Sequence, residues 1–156
     1  MPVRLLLVEF NEITPSLLQR FMSANELPHF RRFFEMSTAY TTHAGDAPLE
    51  PWIQWPSIHC GVPYAEHGVR YLGDGQRIPH PGIAAVLSAA GVRVGVFGTI
   101  NTNYQRLNGY HVPDPWSSRA LVQPQALQPF YDFVAKSVQE NTKDGGTTPG
   151  DAARFL

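Results

Sequence analysis

Apolar and polar positions alternate along the chain in blocks that read as an α/β protein. Val3 to Val8, apolar but for Arg4, has β-branched ends. A short run of this kind suits a parallel strand covered on both faces. Thr14-Pro15 then places a hydroxyl cap before a proline in the first helical turn. Leu17, Leu18, Phe21 and Met22 supply one apolar face of the helix that follows. A second helix is predicted from Pro28 to about Met36, burying Phe30, Phe33 and Phe34, with a short strand at Ala39–Thr42. Periodicity is weak over residues 44–80, where a short helix near Trp55–Cys60 is the one element suggested. Ile83, Val86, Leu87 and Ala90 share a helical face, and Gly91 stands where a glycine ends a helix. Val92 to Phe97 then reads as a second strand, reached from the first by a long crossover. Gln128-Pro129 starts a helix burying Phe130, Phe133, Val134 and Val138. Thr148-Pro149 reads as another helix start, with Ala152, Ala153, Phe155 and Leu156 as its apolar positions. That pattern breaks off within an apolar face, which points to a truncated domain or to a helix that docks on something further.

Composition narrows the class. The 156 residues are 43% apolar and 16% charged, as in a globular chain, and suffice for one domain. A net charge of −1 offers no basic field for nucleic acid or an anionic membrane. No run approaches the ~20 apolar residues of a membrane span. Glu9 stops the opening apolar run too soon for a signal-peptide core. Cys60 is the single cysteine, so no internal disulfide forms. The expected location is the cytoplasm. Fourteen prolines and thirteen glycines cluster in Pro48–Pro63 and Gly73–Gly82, which predicts a long, constrained loop region at mid-chain.

Ligands of open parallel sheets gather at the carboxyl ends of the strands. The first such place is Glu9-Phe10-Asn11-Glu12, whose oxygen donors suit a divalent cation. The same residues also serve as ordinary turn and pre-helix positions, where acidic groups are favourable on electrostatic grounds alone. The second place is Glu50 to Gly61, where a carboxylate, two tryptophans, Ser57, His59 and Cys60 lie close in sequence. Ser57 and His59 stand two apart, so on a helix they point in different directions and do not pair locally. The histidines lack the close spacing of a local zinc site, His67 being the least clear of them. Phe97-Gly98-Thr99-Ile100-Asn101 follows a strand but lacks the glycine-rich run that lets a backbone approach a pyrophosphate.

Four of these segments resemble the front of the alkaline-phosphatase superfamily, in particular its type I phosphodiesterase and nucleotide pyrophosphatase branch. Leu5 to Asn11 resembles its first strand and metal-binding loop, and Leu27-Pro28-His29-Phe30-Arg31-Arg32 its Leu-Pro-Asn-Phe-type helix start. Trp55 and Gly61 match the helix after the nucleophile, and Gly61 to Gly68 the stretch between the family's Thr-Gly and His-Gly pairs. The resemblance covers roughly residues 3–100. It implies an alkaline-phosphatase-like α/β fold, a mostly parallel sheet flanked by helices. Residues 1–156 would form a single incomplete domain, with the C-terminal half of the fold as a missing partner. It also implies a metal-dependent hydrolase of a small phosphate, phosphodiester or sulfate ester, sugar-linked esters included, in which two metal ions flank a nucleophile.

The chain departs from the family at both functional positions. The first Asp ligand falls on Asn11, with Glu12 beside it, and the nucleophile position falls on Pro51, which has no hydroxyl or thiol. Glu50 is then the reactive group nearest the expected site. The resemblance therefore implies Asn11 and Glu12 as metal donors, Glu50 as the catalytic candidate, zinc or manganese as cofactor, and an incomplete catalytic set. The alternative is a non-catalytic ligand-binding module on the same scaffold, with Trp52 and Trp55 as its platform.

Overall fold

The computed structural model describes residues 4–103, 105–117, 121–141 and 150. It is an α/β structure dividing into two compact units, Met1–Gly45 and Asp46–Leu156. Val3 and the helix start expected at Thr148-Pro149, with Ala152, Ala153, Phe155 and Leu156, lie outside the described residues.

The first unit holds α1 (Pro15–Ser23) and α2 (Pro28–Glu35). Both begin on a proline, whose missing N–H costs nothing in the first turn and whose fixed φ already suits the helix. Between them Asn25 adopts a left-handed φ of 62°. It closes α1 with the paired bonds Asn25 N–H to Met22 O (3.2 Å) and Glu26 N–H to Phe21 O (3.0 Å). The Asn25 side-chain oxygen also accepts a bond from Arg31 of α2 at 3.0 Å, tying the two helices together.

Three expectations fail in this unit. Residues 4–10 form no strand, and Leu5, Leu6, Leu7 and Val8 are 79, 85, 58 and 56% exposed. An apolar run becomes a buried strand only where another strand satisfies its backbone, and no described strand pairs with this one. Residues 39–42 are likewise irregular and exposed. The apolar faces of both helices are only partly covered: Met22 is buried, but Leu17, Phe21, Phe33 and Phe34 are exposed, and Phe30 is half-buried against the Phe10 ring at 6.2 Å.

The second unit opens with α3 (Pro51–Cys60), longer than the short helix predicted, followed by α4 (Tyr64–His67). Gly61 and Gly68, at φ 67° and 66°, end these helices in the left-handed conformation that glycine adopts without strain. A 3-10 turn at Asp74–Arg77 leads to α5 (Ile83–Ala89). Gly91 terminates α5 as predicted, through Gly91 N–H to Ser88 O (3.0 Å) and Val92 N–H to Leu87 O (3.0 Å). The buried face of α5 is not the predicted one, however: Ala85 is buried, while Ile83 and Val86 are exposed.

The strand predicted at 92–97 appears as β1 (Val94–Phe97), paired in parallel with an unpredicted strand, β2 (Gly109–Val112). Val94 faces Gly109 and Phe97 faces Val112. On its other side β2 bonds to Gln123 through His111 N–H to Gln123 O (2.7 Å) and Gln123 N–H to His111 O (2.8 Å). The Gln123 side chain continues that pairing, donating to Gly109 O at 2.9 Å and accepting from Leu107 N–H at 3.1 Å. The last helix, α6 (Gln128–Asn141), buries Tyr131 and Ala135 against Val112 and Val122. Phe130, Phe133, Val134 and Val138, the positions predicted for its core, are half-buried.

Candidate functional site

The predicted site residues fall in both units. Asn11 and Glu12 form an exposed bend in the first unit, with Glu12 at a left-handed φ of 56°. Two neighbouring oxygen donors supply half of a four-coordinate shell. Among the described residues no three His, Cys, Asp or Glu side chains gather as a metal-binding group.

Glu50 lies in the second unit, exposed, at the residue that caps α3. Its backbone carbonyl accepts from Ile53 N–H at 2.9 Å and Gln54 N–H at 3.0 Å. The Gln54 side chain reaches back to Pro48 O at 2.6 Å, fixing the approach to the helix. A carboxylate here complements the positive end of the helix dipole, which is reason enough for its presence. Pro51, at the first helical position, offers neither a side-chain nucleophile nor an N–H.

The aromatic pair expected as a ligand platform is engaged within the unit. Trp52 Nε1–H donates to Arg70 O at 3.1 Å, and Trp55 stacks on His59 with ring centres 5.8 Å apart. Pro56 interrupts α3 from within and denies the carbonyl four residues earlier, Trp52 O, its helical donor. Asn101 supplies that donor from the loop between β1 and β2: its Nδ2 donates to Trp52 O at 2.8 Å and to Tyr71 O at 2.9 Å. Its Oδ1 accepts from Gly73 N–H at 2.8 Å, and its own N–H donates to the Asp114 carboxylate at 3.2 Å. Asp114 further accepts from Ser117 Oγ at 2.7 Å and Trp116 N–H at 3.0 Å. Asn101 and Asp114 are wholly buried, and every one of these bonds satisfies a group that burial would otherwise penalise. A Cβ on Gly75 would meet the Asn101 carbonyl carbon at 2.5 Å, so the turn must carry a glycine there.

The structure pairs Ser57 not with His59 but with His67, ten residues on, at 2.9 Å between Oγ and Nε2. The arrangement looks like a nucleophile and its base, but the tautomer excludes that. Val69 N–H donates to His67 Nδ1 at 3.1 Å, so the ring proton of neutral His67 sits on Nε2 and points at Ser57. A general base needs a bare nitrogen facing the hydroxyl. Burial, and next the neighbouring His80, lower the His67 pKa and keep the ring neutral. Cys60 is no better placed as a nucleophile. Burial pushes its thiol pKa up, and Sγ–H donates to His80 O at 3.7 Å. Sequence spacing alone does not bring Ser57 to His67. Gly61, between them, marks a helix end in sequence, but nothing local says which side chains the turn brings together.

An apolar groove of about 400 Å³ lies elsewhere in the second unit and is lined by Phe97, Tyr110, Val112, Leu127 and Phe130. The chain matches no protein-family model, no curated protein and no solved structure.

Proposed function

We propose that this chain is the N-terminal part of an alkaline-phosphatase-like hydrolase fold, which acts on a phosphate, phosphodiester or sulfate ester and whose catalytic set is not complete within these residues. The observation that carries the reading is α3. It starts on Pro51 and closes on Gly61, where the resemblance expects the helix that follows the nucleophile position. The parallel pairing of β1 with β2 and the helices α3 to α5 ahead of it agree with an α/β scaffold of that kind. With Pro51 in place of a hydroxyl or thiol and Asn11 in place of an aspartate, the expected positions offer a cation neutral or singly charged oxygens and an ester no nucleophile.

Calorimetric titration with zinc and with manganese tests the reading. The proposal expects weak binding that Asn11→Ala or Glu12→Ala removes, and no turnover of aryl phosphates, phosphodiesters or sulfates. Absence of binding heat, or heat indifferent to both substitutions, overturns the metal-site reading. Turnover by the unmodified chain overturns its incompleteness.

A further inference from the structure

Both ring nitrogens of His67 are committed in a way that only the neutral imidazole allows. Nδ1 accepts Val69 N–H from beyond the end of α4, and Nε2–H donates to Ser57 Oγ on α3. We propose that His67 is an acid-sensitive latch, and that a proton arriving at its Nδ1 releases α4 from α3 while the rest of the unit stays folded. The geometry leaves that proton no acceptor. Protonated Nδ1 would point its N–H at the Val69 N–H, and the ring must swing away or the backbone after Gly68 must move. Swinging the ring also breaks the bond to Ser57, so one proton undoes both ties.

The described groups around the ring oppose a positive charge on it. From α3 the ring meets Ser57, with Cys60 one turn later directed at His80 O. From α4 it meets the edge of Tyr64, ring centres 5.7 Å apart. His80, in the loop ahead of α5, is close enough to oppose a positive charge on His67. The Glu66 carboxylate sits 3.3 Å from His80 Nε2 and is engaged there. The His67 pKa is accordingly lowered, by burial first and by His80 second. Opening belongs below the ordinary histidine range: the latch is closed when His67 is neutral and opens as pH falls through its folded pKa. α4 is a single four-residue turn, the kind of element that opens locally at small cost.

The test is a pH titration of the full chain by NMR, following the His67 ring and, by hydrogen exchange corrected for intrinsic rates, the amides of residues 66–69. The expected result is an Nε2–H tautomer at neutral pH and a ring titration below the ordinary value. In that same transition the Val69 amide and the α4 amides should lose protection, while those of β1, β2 and α6 keep theirs. His67→Asn keeps an acceptor for Val69 N–H and removes the titration, so the transition should vanish. Titration at the ordinary value overturns the proposal. So does protection that persists through the ring titration, loss of protection along the whole chain in one step, or the same opening in His67→Asn. If that variant does not fold, the wild-type titration decides alone.

Discussion

At the scale of the residue, the second unit is organised by buried polar side chains that sequence patterning treats as loop. His111 is the one whose energetics can be stated most directly. Burial on β2 holds its pKa down to about 4, against an ordinary value of 6.5. The folded state thus keeps the ring neutral while the unfolded chain takes up a proton as pH falls below 6.5. Its contribution to stability is intact above that value and is lost progressively down to about pH 4, by ~3 kcal/mol in all. Urea unfolding at pH 7 and pH 4 measures it. His111→Gln should flatten the pH dependence by about that amount, and an unchanged slope would show that His111 titrates alike in both states. Ser57 and His67 teach the complementary lesson. Their distance suggests catalysis, and the backbone donor on the far side of the ring argues against it.

At the scale of the element, α3 is the informative case, because a proline in its interior is tolerated through a residue 45 positions later in the chain. Pro56 leaves Trp52 O without a helical partner, and Asn101 Nδ2 takes the place of the missing N–H. The two positions should therefore be energetically coupled. Pro56→Ala restores an N–H to the helix but removes a fully buried ring. It should cost more in the wild type than in an Asn101→Ala background, with a coupling of about 1 kcal/mol in a double-mutant cycle. Strict additivity in chemical denaturation would refute the substitution of one donor for the other. The same pair shows what was legible beforehand. Helix starts at Pro15 and Pro28, the stop at Gly91 and the strand ending at Phe97 all follow from local chemistry, and local chemistry is what sequence displays. β2 was not legible, because Gly109-Tyr110-His111-Val112 has no apolar run and is held by β1 on one side and Gln123 on the other. The opening run was legible as apolar and misread as buried, since periodicity does not say whether a partner strand exists. Of the candidate site, only the later part of α3, near Trp55–Cys60, could be read in advance. The Ser57–His67 contact could not, because it depends on the turn that Gly61 and Gly68 impose.

At the scale of the molecule, the dominant fact is apolar surface left in contact with water. Leu5, Leu6, Leu7, Val8 and Phe10 are consecutive exposed positions but for Glu9, and Phe33, Met36 and Tyr40 add to the exposure of the first unit. Single exposed leucines mean little, but a contiguous stretch on this scale marks a surface that associates. A net charge of −1 and a pI near 6.6 provide little repulsion to oppose association at neutral pH. Sedimentation velocity over a range of concentrations should accordingly show reversible association, strengthened by sulfate, which favours apolar burial, and little affected by sodium chloride at moderate strength. Replacing Leu5, Leu6 and Leu7 together by serine should shift the distribution to monomer without changing the unfolding of the second unit, since none of the three belongs to its core. A single monomeric species at every concentration would mean that this run finds cover within one chain, and the triple variant would then lose stability instead of gaining solubility. The two outcomes separate an apolar segment that awaits a partner from one already buried in solution, which is the choice on which an alkaline-phosphatase-like opening strand depends.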